Sequence, residues 1–325
     1  MNVSNINTDF YEVTNPDEWQ GRVDSVTDLD QFRYHQVVHC TDINHVKDEF
    51  ELALLGFSSD EGVKRNQGRT GAAGGPAAFR KAISSLCWQG EESGFQDVGN
   101  IFVPDGRLEE AQLELGKAVH YLLGNGIKPF IIGGGHETAY GHFSGIASFL
   151  METNPEAKLG ILNIDAHFDL RPHNGIPHSG SPFLQAFEYA QQEDFDLDYF
   201  VYGINPANNT KSLFRTAEEL GVGFCTNREI QDKEEESLNR VESFLRSRTH
   251  IYLTVCLDVF KASIVPGVSA PAWNGIELQH ALRVFDLVKK SDKMLSMDIC
   301  ELNPSLDQDQ KTAKLAGSLF SEWLS

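Results

Sequence analysis

Residues 159–169 read LGILNIDAHFD: six apolar-rich positions, then Asp165, His167 and Asp169 at alternate places. The first half is short, lacks a polar face and fits a strand buried on both sides. The second half puts three metal-competent side chains on one side of an extended segment, because side chains alternate with a period of two. The same construction recurs. PFII (129–132) runs into Gly133-Gly134-Gly135-His136-Glu137, Ile251–Leu257 carries Cys256 and leads to Asp258, and Met294–Ile299 leads to Glu301. Further apolar runs occur at Leu52–Phe57, Ile101–Val103, Tyr199–Ile204 and Val222–Cys225.

Between the runs lie helical patterns. Pro76 suits the first turn of a helix with Phe79, Ile83 and Leu86 on one face. Leu108, Ala111, Leu115, Val119 and Leu122 are helically spaced, and Gly124 ends the stretch. Leu278, Leu282, Phe285 and Val288 form another such stripe, as do Ala313, Ala316, Phe320 and Trp323. Strand–helix alternation of this kind predicts an α/β fold: a three-layer α/β/α sandwich around a mostly parallel, roughly eight-stranded sheet. Residues 1–48 are polar and weakly periodic and read as an N-terminal extension with some helix, leaving 49–325 as one α/β domain.

Composition narrows the partners. The chain has 325 residues, 27 Lys plus Arg against 47 Asp plus Glu, and a formal net charge of −20. Such a field opposes nucleic acid and anionic membranes as partners, and a small-molecule substrate is expected instead. No run is long and apolar enough for a membrane span. The stretch MNVSNINTDFYEVTNPDEWQ is acidic and polar, unlike a targeting signal. Five dispersed cysteines without a C-x-x-C pair predict reduced thiols and a cytoplasmic setting.

Parallel sheets bind ligands beyond the carboxyl ends of their strands. His136, Asp165, His167, Asp169, Cys256, Asp258 and Glu301 all follow strands, so their convergence predicts a metal centre. Carboxylates with imidazoles suit divalent ions such as Mn²⁺. The donors are too many for one tetrahedral ion, which predicts two ions sharing ligands. Neither GxGxxG nor GxxxxGK[ST] is present, so the Gly133–Gly135 run is not read as a nucleotide loop.

The segments GGGHET (133–138), NIDAHFDLRP (163–172), LDVFKASIVPGVSAPA (257–272) and MDICELNPSLD (297–307) resemble the ureohydrolase, or arginase, family, and GVKRNQGRTGAAGGPAAFRKAI (62–83) resembles its first characteristic segment. Within the family, EGVKRNQGRTGA, SGSPF, PGVSAPA and ELNPSLDQDQKTA are similar to the members that hydrolyse N-formimino-L-glutamate to L-glutamate and formamide, a reaction of histidine breakdown. The resemblance implies that His136, Asp165, Asp169 and position 256 hold one Mn²⁺, and that Asp165, His167, position 256 and Asp258 hold a second. It implies that Glu301 receives the amidine head, and the mechanism expected from that arrangement has Asp169 carry the proton to the leaving nitrogen. Arg171, Ser181, Asn208 and Asn209 fall in segments that contact the amino-acid end. It also implies a homo-oligomer, such as a trimer or hexamer.

Two departures stand out. Cys256-Leu257-Asp258 replaces the family's Asp-x-Asp, and a thiolate there shifts metal preference toward Zn²⁺ or Fe²⁺. Asn205-Pro206 stands where this branch has Ser-Arg, which removes one expected cation from the carboxylate end. Arg69 and Lys261 are further candidates for that role. Competing readings are another ureohydrolase specificity (agmatinase, arginase or guanidino-acid hydrolase) and a catalytically inert arginase-like binding protein, the latter motivated by Cys256.

Overall fold

The computed structural model describes residues 6–90 and 94–324. Ten strands form one sheet: β1 (Tyr11–Glu12), β2 (Val38–Cys40), β3 (Leu52–Ser58), β4 (Phe95–Phe102), β5 (Lys128–Ile132), β6 (Leu159–Ile164), β7 (Leu197–Ile204), β8 (Gly223–Thr226), β9 (His250–Cys256) and β10 (Met294–Cys300). Their order is β1-β4-β3-β5-β10-β9-β6-β7-β8, with β2 also on β4. All pairings are parallel except β1 on β4.

Alternation along each strand builds the three layers. Leu52, Leu54, Phe130, Ile132, Leu162 and Ile164 enter one core with the helices Gly75–Ile83, Leu278–Ser291 and Lys311–Leu324. Ala53, Leu55, Ile131 and Ile161 enter the other with Leu108–Gly124, Thr138–Thr153 and Pro182–Gln192. Both sheet faces are therefore dry, which is why the strands read as apolar runs rather than as alternating patterns. The run at Ile101–Val103 marks only the end of β4, because its earlier part, with Gln96, Asp97, Gly99 and Asn100, is polar.

That polarity has a structural use. Asp97 and Arg80 are both completely buried and pair through Nε at 2.7 Å and Nη2 at 2.9 Å. Trp19 Nε1 and Thr14 Oγ1 also donate to Asp97, at 2.7 and 2.9 Å. The segment before residue 48 is thus tied to the sheet by β1, β2 and one buried carboxylate. Removing one partner of such a pair leaves an uncompensated charge and costs about 3–5 kcal/mol.

The order of the central strands places the site. β5 continues outward to β3 and β4, β6 continues the other way to β7 and β8, and β10 and β9 fill the gap between them. The four strands β5-β10-β9-β6 are consecutive neighbours, and their carboxyl ends meet at this switch point.

Candidate metal centre

Each of the four central strands delivers a site residue at or just past its carboxyl end: His136 after β5, Asp165, His167 and Asp169 after β6, Cys256 and Asp258 at the end of β9, and Glu301 after β10. After β5 the chain must turn at once, and Gly134 allows it: a Cβ there would lie 1.7 Å from the Ser59 carbonyl oxygen. Glu137 locks the turn by accepting from Ser59 Oγ at 2.7 Å and Gly62 N–H at 3.0 Å. Asp169 and Glu301 both have left-handed backbones, with φ of 48° and 70°, an uncommon state for residues with a Cβ. Such strain is held where the surrounding structure over-determines it, commonly at functional sites.

His136 Nδ1 lies 3.0 Å from Asp165 Oδ2 and 2.9 Å from Asp169 Oδ2. His167 Nδ1 lies 3.5 Å from Asp165 Oδ1 and 3.2 Å from Asp258 Oδ2. Asp165 is common to both groups. Donor atoms of His136, Asp165 and Cys256 lie within 4.8 Å of one another, and so do those of Asp165, His167 and Asp258. The thiol of Cys256 is thus beside the first group. All six side chains predicted as ligands are brought together.

Beneath them runs a hydrogen-bonded chain absent from the sequence reading. Thr254 Oγ1 donates to Asp298 Oδ1 at 2.5 Å, so at its 3.0 Å contact with His136 Nε2 it is the acceptor. His136 Nε2 therefore carries a proton, which leaves Nδ1 as the nitrogen that faces two carboxylate oxygens. Asp298 also accepts from Tyr252 Oη and from His142 Nδ1, the latter at 2.7 Å. His142 Nε2 faces Ser296 Oγ at 2.6 Å, whose own proton goes to the Pro129 carbonyl at 2.7 Å. Both nitrogens of His142 face oxygen atoms, one of Asp298 and one of Ser296. A third set, His136, Asp298 and Cys300, also lies within 4.8 Å, but Asp298 is committed to this supporting network. The signal for these residues was present: Thr254, Ser296 and Asp298 are polar interruptions inside apolar strands.

The charges demand a cation. Burial and then the neighbouring Asp165 and Asp258 push the Cys256 thiol well up. Burial, then Asp258 and Glu137, push Glu301 up to about 8. Burial disfavours a charged His136, yet the contacts with Asp165 and Asp169 outweigh it and raise its pKa well above the ordinary value. Asp258 Oδ1 and Glu301 Oε2 are buried without a hydrogen-bond partner. Imidazole nitrogens and carboxylates crowded together in this way fit the donor set of divalent metal ions.

The cavity above has a volume of about 400 Å³. Its wall includes His136, His167, Asp169, Cys256, Asp258, Glu301 and Arg171, and also Asn66, Gln67, Arg69, Ser179 and Ser269. Ser181, Asn208 and Asn209 do not line it. Ser181 is completely buried, donating to the His178 carbonyl at 2.9 Å and accepting from Gln185 at 3.0 Å. Asn209 staples the loop after β6, accepting from Phe168 N–H at 3.1 Å and donating to Ala166 O at 2.8 Å. Asn208 is half-buried on the turn Pro206–Asn208. These three shape loops rather than the cavity wall. In their place the wall has Asn66, Gln67 and Ser179. Asn66 accepts from Arg171 Nη1 at 3.3 Å and donates to Ser179 Oγ at 3.1 Å.

The arginase family model matches residues 50–325, and the chain belongs to the arginase family. Among its relatives, a Rhodococcus jostii protein named formimidoylglutamase is 42% identical over 307 residues, covering 94% of each chain. A Geobacillus thermodenitrificans formimidoylglutamase is 41% identical over 310 residues, again 94% of each. A crystal structure of Trypanosoma cruzi formiminoglutamase with Mn²⁺ aligns with a TM-score of 0.77 at 26% identity, covering 90% of this chain and 97% of that one. No described helix is long and apolar enough to cross a membrane.

Proposed function

We propose that this chain is a metal-dependent hydrolase that cleaves N-formimino-L-glutamate with water into L-glutamate and formamide. The observation that carries the reading is the pair of His–carboxylate groups sharing Asp165, with Glu301 alongside them. The formimidoylglutamase relatives at 41–42% identity support the substrate.

His136, Asp165, Asp169 and Cys256 would hold one divalent cation, and Asp165, His167, Cys256 and Asp258 a second. Bound there, the cations supply a water acidified to near neutral pH and positive charge for the reacting centre. Mn²⁺ is the ion these oxygen and nitrogen donors suit, and the thiol draws the preference toward Zn²⁺ or Fe²⁺.

The chain's own residues do the rest. Glu301 Oε1 accepts from His136 N–H at 3.1 Å, which fixes the carboxylate. Its unpartnered Oε2 receives an N–H of the amidinium, whose positive charge offsets the burial that raises the Glu301 pKa and holds the carboxylate ionised, and this charge-assisted bond turns the formimino carbon toward the ligands. Asp169, on the cavity wall, carries a proton to the nitrogen that leaves as the glutamate amine. Arg171 at the rim takes a substrate carboxylate.

Glutamate release from N-formimino-L-glutamate by protein loaded with Mn²⁺, Zn²⁺ or Fe²⁺ tests this. Turnover with any of the three, and none after chelation, is the expected result. Hydrolysis of agmatine or arginine in place of the formimino substrate overturns it.

A further inference from the structure

The substrate proposed above bears two carboxylates, and the expected second arginine is absent because Pro206 occupies its place. The chain is also strongly acidic, so a cation that serves an anionic ligand must not already be neutralised by a neighbouring acid. Among the described residues, ten of the thirteen arginines are ion-paired: 22, 33, 65, 80, 107, 228, 240, 246, 248 and 283. Three have no carboxylate partner: Arg69, Arg171 and Arg215. Two of these three line the metal-site cavity. Arg215 lies on the exposed side of the helix Lys211–Glu219.

Arg69 is held in a particular way. Its Nε donates to Ser269 O at 2.8 Å and its Nη2 to Val268 O at 2.7 Å. Its backbone is held too, with N–H donating to Ser269 Oγ at 2.8 Å and the carbonyl accepting from Asn303 Nδ2 at 3.2 Å. Two consecutive carbonyls thus occupy the Nε/Nη2 edge of the guanidinium without cancelling its charge. The remaining edge has one N–H on each Nη, parallel and unused, which is the fork that binds a carboxylate in two-point fashion. Anchoring by backbone carbonyls also means that little side-chain freedom is lost when a ligand arrives.

Position separates the two arginines. Arg69 lines the cavity that holds the metal ligands and is not part of the outer cavity beside it. Arg171 lines that cavity and also an outer one of about 520 Å³, which adjoins it at Asn66, Gln67 and Arg171. In the substrate, the α-carboxylate is one bond from the carbon carrying the scissile nitrogen, and the γ-carboxylate is further out. We infer that Arg69, clamped by the Val268 and Ser269 carbonyls, is the specificity residue for the substrate's α-carboxylate, leaving Arg171 for the γ-carboxylate. This assignment rests on the formimino-glutamate reading.

The test pairs two variants with two altered substrates. N-Formimino-L-isoglutamine has its α-carboxylate masked as an amide, and N-formimino-L-glutamine has its γ-carboxylate masked. With the wild type, either masking lowers kcat/KM about a hundredfold, the scale of one charged hydrogen-bonded contact. Arg69→Gln suffers a loss of the same size on the parent substrate, and masking the α-carboxylate then costs it nothing further, whereas masking the γ-carboxylate still does. Arg171→Gln shows the reverse pattern, and Arg69→Lys recovers part of the loss. A residue that merely braced the 265–270 loop would lower all three substrates alike. Wild-type turnover with Arg69→Gln unchanged, or lowered equally on all three, overturns this assignment alone. Absence of wild-type turnover on every formimino substrate overturns the proposed reaction and this assignment with it.

Discussion

His136 and Thr254 meet through Nε2 and Oγ1 at 3.0 Å, and the direction of that bond is set by Asp298 on the far side of the threonine. Because Thr254 gives its proton to Asp298, it can only accept from His136. The ring is held in the tautomer whose Nδ1 faces Asp165 and Asp169. Supporting bonds of this kind orient metal ligands and raise their basicity.

Thr254→Val keeps the shape and removes the acceptor. Metal affinity is expected to fall about 10–100-fold, the usual effect of losing such a partner. Competition against a chromogenic chelator measures it. An unchanged affinity would show that packing alone orients the ring.

Cys256 distinguishes this centre by chemistry. If it binds as a thiolate, Co²⁺-loaded protein acquires a sulfur-to-metal charge-transfer absorption in the near ultraviolet. The band is expected to vanish in Cys256→Asp, and that variant is expected to bind Mn²⁺ relatively better than Zn²⁺. A wild-type spectrum without the band would place the thiol outside the coordination sphere.

Glu301→Gln retains an oxygen to accept from His136 N–H but loses the negative charge. We expect kcat/KM on the formimino substrate to fall about a hundredfold, the scale of a charge-assisted contact. Metal stoichiometry is expected to stay as in the wild type. Loss of bound metal instead would make Glu301 a ligand.

Asp298 gives a pH signature. Burial alone raises its pKa, but the hydrogen bond and charge of His142 outweigh burial and hold it below the ordinary carboxylate value. A depressed folded-state pKa contributes stability that is full above the unfolded value, about 3.9, and that is lost as pH falls through the folded value. Urea unfolding of wild type and Asp298→Asn is therefore expected to differ by a constant amount above about pH 5, with the gap closing in acid below about pH 4. A gap that widens in acid contradicts the sign.

Much of the centre was legible because its ligands are tied to strand ends by covalent adjacency. Asp165, His167 and Asp169 follow β6 within five residues, so covalent adjacency alone brings them to one strand end, although the chain there is not the extended segment expected: it bends at Ala166 and His167 and is left-handed at Asp169. The supporting network was less so. Thr254 and Asp298 are visible as polar positions in apolar strands, but their meeting depends on the parallel register of β9 and β10, in which they are direct partners. The loops were least legible. Ser181 and Asn209 sit in the expected segments, yet their polar atoms satisfy neighbouring backbone and side-chain groups.

By itself the sequence determined the layered α/β class, the number of long buried strands and the chemistry of the ligands, because burial pattern and residue type are local properties. It also announced the two departures, Cys256 and Pro206. The tertiary structure decided what local chemistry cannot. It placed β10 and β9 between β5 and β6, so that the three ligand-bearing ends and the one that carries Glu301 became neighbours. It joined the segment before residue 48 to the sheet through Asp97. And it carried Arg69 some two hundred residues along the chain to the carbonyls of Val268 and Ser269. Those pairings are set by which strands share a sheet, a choice made by the whole core at once rather than by any one segment.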